Sequence, residues 1–504
     1  MANFRDLPVE ITTEILKQAW EASLTTQYNF PSSELLIAAG LKPSYKPILV
    51  GHYSLLDPTE STLFGFKAAR VCSLWRDIVS AWSDAWDLVV FDLQDDPSPL
   101  LDVFTWSGDR PISVYIFNSK FESNPGLNEF VNEARRVMMI FQFLLPHVKR
   151  CQSIRFDVTF PLSLPPPVYF FVLGSTTLQT LNLETFVPGD PVEFPHYITP
   201  SSSFGPFPQL TQLSLTGFAI IELGGDFPGW VRAFEGGRRL DSLKISNFIF
   251  SSEISDPIGE LGQKTVQFFV SMLSRIQPNQ LHLVGMSLSS DSTPRTITNT
   301  YDFSDTYFHF DTSSGPFLVE FLSWTQGRVY HSLEITKCGI IPTHLDIPLC
   351  GSRLTLRGIS DSSSLRTILA NFRGTTLTLE GCAGFDDTLI KWLSQPDGIQ
   401  CPDGDAFAAK SMNHIRIRNC TDFSSDALRR LVAARHRAAP RSNQVPTSTD
   451  VKEIYCLDVI GLAPVLKPKD QVWFAMNPDV VEVCWYREEP DGLSTHMFDN
   501  YMED

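Results

Sequence analysis

The residues that could do chemistry are thinly spread: ten histidines and nine cysteines stand in 504 residues. Cys382, Cys401 and Cys420 recur at even spacing, and thiolate with imidazole is the usual ligand chemistry of zinc. No Cys-x-x-Cys or His-Glu-x-x-His pair anchors such a site. His282, His331 and His414 stand on or beside short segments of alternating apolar residues, where an imidazole is expected to be hydrogen-bonded or solvent-facing rather than a ligand or a base. There is no Gly-x-Ser-x-Gly elbow, no glycine-rich phosphate loop and no calcium-loop pattern. Carboxylates are plentiful, yet nothing singles out a general acid–base pair. The basic concentration at Arg429, Arg430, Arg435, His436, Arg437 and Arg441 falls at the end of a predicted helix, where cations complement the helix dipole. The expectation is therefore no catalysis, no metal and no cofactor.

The elements around these residues explain more. Pro8 suits the first turn of a helix, because its φ is already fixed and the N–H it lacks would be unbonded there. Leu7, Ile11 and Ile15 then fall four apart, Leu16 and Ala19 widen the stripe, and Glu10, Glu14, Lys17 and Gln18 take the wet face. A second helix is predicted from Lys67 to Val79, with Ala68, Cys72, Trp75 and Val79 on one face. Together they predict a small helical hairpin whose apolar rim, with Leu7 and Pro8 at one end, suits docking onto a partner's helices. Between its halves, 21–65 is rich in proline and glycine and reads as a long insertion with little regular structure.

Leu7-Pro8-x-Glu10-Ile11, then Ile15-Leu16, then Val71-Cys72-x-x-Trp75-x-x-Ile78-Val79 and Trp86 resemble the F-box. That module attaches substrate receptors to the Skp-type adaptor of a cullin-RING ubiquitin ligase. The insertion departs from the family, whose halves are joined by a short link. The resemblance implies adaptor-side roles for Leu7, Pro8, Glu10, Ile11, Ile15, Cys72 and Trp75.

Downstream, Leu178-x-x-Leu181-x-Leu183 opens a series of short strand cores. It recurs at Leu210-x-x-Leu213-x-Leu215, Leu240-x-x-Leu243-x-Ile245-x-Asn247, Leu281-x-Leu283, Leu333-x-Ile335-x-x-Cys338, Leu354-x-Leu356, Leu377-x-Leu379-x-x-Cys382 and Ile415-x-Ile417-x-x-Cys420. Several are followed by a helical pattern. The series resembles a leucine-rich-repeat solenoid, in which Asn247 or the cysteines would sit at the family's Asn/Cys turn position. Its combination with an F-box resembles a large group of fungal receptor proteins. The stretch from Met286 to Gly315, rich in Ser, Thr and Asp, reads as a surface hairpin pinned by aromatics.

The expected fold is thus α/β: a small N-terminal F-box helical hairpin followed by an irregular leucine-rich-repeat-like α/β solenoid. The expected division is an F-box domain over 1–92 with its insertion at 21–65, a solenoid over 100–465, and closing strands with a frayed acidic tail over 466–504.

A hydrophobic content of 43% with 19% charged residues places the chain in the folded class. A net charge of −17 argues against binding nucleic acid or an anionic membrane, which takes clustered Lys and Arg. The greasiest stretch, Val137 to Val148, is broken by Gln142 and Pro146 and falls well short of the ~20 apolar residues of a bilayer span. Cysteines without a paired pattern suit a reducing compartment, the cytoplasm or nucleus. The functional expectation is a substrate receptor that docks the Skp-type adaptor and binds a protein substrate, without bond chemistry of its own. The alternative is an interaction scaffold with a vestigial F-box. In a curved solenoid the strands line the concave side, which puts Lys244, His282, Glu334 and Arg416 among the residues facing substrate.

Overall fold

A computed structural model describes residues 8–27, 64–119, 127–186, 204–226, 229–234, 239–250, 265–288, 300–303, 305–325, 331–339, 348–395, 407–439, 451–488 and 495–499. The chain is mixed α/β and divides into two units, Met1–Leu210 and Thr211–Asp504.

Among the described residues the first unit opens with α1 (Val9–Gln27), α2 (Phe64–Val71) and α3 (Ser73–Ser80), so the second helix expected over Lys67–Val79 is two helices. The break falls at Cys72, whose backbone is extended at φ −163° and ψ 169°. Its carbonyl accepts from Arg76 N at 3.1 Å, which starts α3, while Arg76 Nε donates to Ala69 O at 3.2 Å and satisfies the last turn of α2. Since α1 runs on to Gln27, the start of the expected insertion is helical; its stretch 28–63 lies outside the described residues. Buried Trp86 closes a short helical turn after α3 and is tied back to that helix, donating Nε1–H to Val79 O at 2.9 Å.

Four parallel strands come next, β1 (Leu88–Asp92), β2 (Ile112–Phe117), β3 (Cys151–Val158) and β4 (Thr180–Thr185), each paired to its neighbour in chain order. The strand series therefore starts at Leu88, before residue 100. The helix Leu127–Leu144 returns the chain from β2 to β3, and buried Glu133 on it accepts Thr159 N at 3.0 Å and Phe160 N at 2.9 Å. That carboxylate pins the end of β3 to the helix.

The second unit holds β5 (Gln212–Thr216), β6 (Ser242–Phe250), β7 (Gln280–Leu288), β8 (Tyr307–Asp311), β9 (Ser332–Thr336), β10 (Arg353–Arg357), β11 (Thr376–Glu380), β12 (His414–Arg418), β13 (Cys456–Gly461), β14 (Glu482–Glu488) and β15 (Thr495–Asp499). They pair in chain order and in parallel up to β14; β15 returns antiparallel. Part of the tail expected to fray is thus a strand.

In-register pairing stacks like on like. Leu213, Leu243, Leu281, Phe308, Leu333, Leu354, Leu377, Ile415, Leu457 and Val483 make one buried column, and the residues two further on make a second. Each strand alone buries one narrow face; stacking makes the core continuous. Several helices returning between strands start at capping side chains, as when Asp361 accepts Ser364 N at 2.7 Å and Asp386 accepts Leu389 N at 2.8 Å.

Of the expected hairpin at Met286–Gly315, 289–299 and residue 304 lie outside the described residues, and two strands of the series run through the rest. Residues 286–288 are the end of β7, and β8 inserts Phe308 and Phe310 into the two leucine columns. Phe310 meets Phe321 of the following helix at 5.3 Å between ring centroids, so phenylalanines do here what leucines do elsewhere.

A further column succeeds the five-residue cores of β6 to β13, where Asn247, Gly285, Thr312, Lys337, Gly358, Gly381, Asn419 and Gly461 all have positive φ, from 47° to 82°. At five of these turns the N–H reaches the next strand: Thr312, Lys337, Gly358, Gly381 and Asn419 donate to the carbonyls of Thr336, Arg357, Glu380, Arg418 and Ile460 at 2.8 to 3.1 Å. Asn247 holds this position, whereas Cys338, Cys382 and Cys420 stand one residue later, so the asparagine and cysteines do not share a turn position. There Ser313, Cys338 and Cys382 donate to Leu283 O, Phe310 O and Leu356 O of the preceding strand, at 3.3, 3.8 and 3.3 Å.

A Cβ on Gly381 would meet nothing within 4 Å, so Gly381→Ala isolates the backbone strain. It should lower stability by about 1 kcal/mol, read by urea denaturation. Among the described residues no helix is long and apolar enough to cross a membrane.

Candidate docking surfaces

The expected adaptor-side residues lie in the first unit. Leu7 is outside the described residues. Pro8 and Glu10 are exposed, and Cys72 and Trp75 are half-buried. On α1 the buried residues are Thr12 and Leu16, one turn apart, and the Thr12 hydroxyl donates to Pro8 O at 3.2 Å. Ile11 and Ile15 point elsewhere: they are 49% and 38% exposed, beside Val9 at 51% and, on α2, Val71 at 60%. Of the apolar stripe read from the sequence, Leu16 is on the face α1 packs with, whereas Ile11, Ile15 and Ala19 are exposed. Thr12, counted as neither face, joins Leu16 there because its hydroxyl is satisfied within the helix.

On the strand face of the second unit, residues between the leucine columns form a polar row: Ser214, Lys244, His282, His309, Glu334, Thr355, Thr378, Arg416, Asp458 and Cys484 are consecutive register partners. All four expected substrate-side residues, Lys244, His282, Glu334 and Arg416, are in it. Lys244 and His282 are direct partners, and Glu334 is reached from His282 through His309.

At least three of the four are bonded within the row, His282 to His309 and the other two as follows. Glu334 is buried, accepts from the Tyr307 hydroxyl and from Arg357 Nε at 3.1 Å, and lies 3.6 Å from His309 Nε2. Arg357 Nε also reaches Glu380 Oε2 at 3.2 Å. Glu334 thus organises its neighbours rather than offering a charge to a partner. Arg416 Nε donates to Asp458 Oδ2 at 2.9 Å, and His414 Nε2 stands 3.3 Å from the same oxygen. Sequence reasoning missed His309, Tyr307 and Asp458: the first two belong to β8, and Asp458 becomes Arg416's neighbour only through the register of β12 on β13. The first unit carries a smaller group of this kind, where Asp157 Oδ2 accepts from the Tyr115 hydroxyl at 2.9 Å and from Arg155 Nε at 2.7 Å.

His282 and His309 face each other, Nδ1 to Nδ1, at 3.2 Å. Burial, then the imidazole of His309 and the ammonium of Lys244, push His282 down from 6.5 to about 4. Burial also lowers His309, opposed by Glu334 and Asp311. Between pH 6.5 and about 4 the unfolded chain binds a proton at His282 that the folded chain refuses, so this group's contribution is complete above pH 6.5 and is lost as pH falls toward 4. His282→Gln should therefore flatten the acid-side loss of stability by about 1–2 kcal/mol, measured by denaturation at neutral and acid pH.

The basic concentration dissolves into local structure. Arg429 Nε donates to buried Asp470 at 2.8 Å and its Nη2 to Asp426 at 2.7 Å, with Arg430 also on Asp426. Arg435 is buried, with its guanidinium on the carbonyls of Ala408, Ala409 and Met412. It is not a solvent-facing cation at a helix end. Arg441 lies outside the described residues.

Comparison with models of known families and with curated proteins finds no match for the chain.

Proposed function

We propose that the chain is a substrate receptor of a cullin-RING ubiquitin ligase, in which α1–α3 form an F-box that docks the Skp-type adaptor and the strand series is a leucine-rich-repeat-like platform for a protein substrate. The observation that carries this reading is the uncovered apolar set Val9, Ile11, Ile15 and Val71, on helices whose sequence resembles that module. Helix-on-helix docking needs such a set, with the helix held from behind by other residues, here Thr12 and Leu16. The polar row supports the substrate half. Mixed charge and hydrogen-bonding groups along successive strands suit a protein surface better than a small apolar ligand. The receptor's contribution to ubiquitin transfer is proximity, and its place is the cytoplasm or nucleus, where thiols such as the eight described ones, none in a disulfide, stay reduced.

Glu334 acts behind the contact surface, while Lys244, His282 and, beyond its bond to Asp458, Arg416 are the half-exposed positions offered to substrate. Lys244→Glu with Arg416→Glu should reduce capture of co-precipitated substrate by ~10-fold or more while adaptor capture is retained, as loss of interface anchors predicts. Mass spectrometry of the captured proteins checks it; an unchanged set from the variant counts against the row.

A further inference from the structure

We propose a zinc-class metal site on the strand face of the second unit, with His414, Cys456 and Asp458 as its protein ligands. His414 on β12 and Cys456 on β13 are register partners, and Asp458, two residues beyond Cys456, lies on the same face of its strand. One nitrogen, one sulfur and one oxygen from these side chains all lie within 4.8 Å of one another. His414 Nε2 is 3.3 Å from Asp458 Oδ2, and Cys456 Sγ is 3.8 Å from Asp458 Oδ1. Ligands bonded at 2.0–2.3 Å in a tetrahedron stand ~3.3–3.8 Å apart, so Cys456 Sγ and Asp458 Oδ1 already stand at ligand spacing, and the His414 nitrogen lies within 4.8 Å of the sulfur.

The donor set selects the ion. A thiolate disfavours magnesium and calcium, and thiolate with imidazole and carboxylate is zinc's mixture. Cys456 and Asp458 are buried and His414 is half-buried, so the ion would be partly shielded from water. Arg416 is the competing cation, with its Nε on Asp458 Oδ2 at 2.9 Å. Ligation through Oδ1, the oxygen beside Cys456, leaves that contact in place as the outer hydrogen bond that orients a ligating carboxylate. On binding, the Cys456 S–H bond breaks, its proton goes to solvent and a sulfur–metal bond forms. Three protein ligands leave a fourth position, open to water or to a donor from a bound partner. The site does not depend on the receptor reading.

The test uses untagged full-length protein, equilibrated with Zn²⁺ for metal counting and with Co²⁺ as a spectroscopic probe. The expected result is a thiolate-to-cobalt absorption that Cys456→Ser abolishes, and Zn²⁺ affinity lowered ~10-fold or more by His414→Gln. Cys338→Ser, which removes a turn thiol, should keep both signals. An unchanged cobalt spectrum in Cys456→Ser, or equal Zn²⁺ retention by His414→Gln and wild type, overturns the proposal. Should Cys456→Ser fail to fold, the half-buried His414→Gln, checked by circular dichroism, decides alone.

Discussion

Arg435→Met should lower the stability of the second unit by about 3 kcal/mol. The guanidinium donates Nη2–H to Ala408 O at 2.6 Å and to Ala409 O at 3.2 Å, and Nη1–H to Met412 O at 3.1 Å and Ala409 O at 3.2 Å. These carbonyls belong to the loop leading into β12, where Ala409 itself has φ 47°. Burial pushes Arg435 down to about 10, so it stays charged at neutral pH. Methionine fills much of the volume but donates nothing, leaving buried carbonyls unpaired at ~1–3 kcal/mol each; removing a buried cation offsets part of that. Arg435→Lys should recover less than half, because an ammonium cannot span three carbonyls as a planar fork does. Chemical denaturation measures both, and a loss under about 1 kcal/mol for methionine would mean that the loop finds other donors.

The second large effect concerns α1. Ile11→Asp with Ile15→Asp should weaken adaptor binding ~100-fold or more, since burying two carboxylates against an apolar partner desolvates charge and removes two anchors together. Both positions are substantially exposed, so helical content and thermal unfolding should stay near wild type, which separates lost docking from lost folding. Thr12→Asp is the internal contrast. Its site is buried, so it should destabilise α1 packing rather than act at the partner surface. Equal adaptor binding by wild type and the Ile11/Ile15 variant would remove α1's outer face from the interface.

How much of the fold and of the polar row is legible in the sequence depends on which signals are local. Paired apolar residues such as Leu377 and Leu379 mark a strand by themselves, and such cores all stand in place. Repeat β8 is hidden, because Phe308 and Phe310 sit in a stretch whose Ser, Thr and Asp content reads as surface. The row's composition is legible wherever a strand is, which is why Lys244, His282, Glu334 and Arg416 fall into one line. Its pairings are not: Arg416 meets Asp458 only through register, and no spacing brings His414 to Cys456 before β12 and β13 are laid side by side. On α1, periodicity locates an apolar stripe correctly, but a stripe does not say whether it faces its own core or outward. Arg435 reads as an exposed cation because the carbonyls that bury it belong to a loop distant in sequence.

The most direct test of the receptor reading is calorimetric titration of the purified full-length chain with the purified Skp-type adaptor. The expected result is a one-to-one complex with Kd of about 1 μM or tighter, some 8 kcal/mol of binding free energy. Absence of binding by a chain that circular dichroism shows to be folded would contradict it.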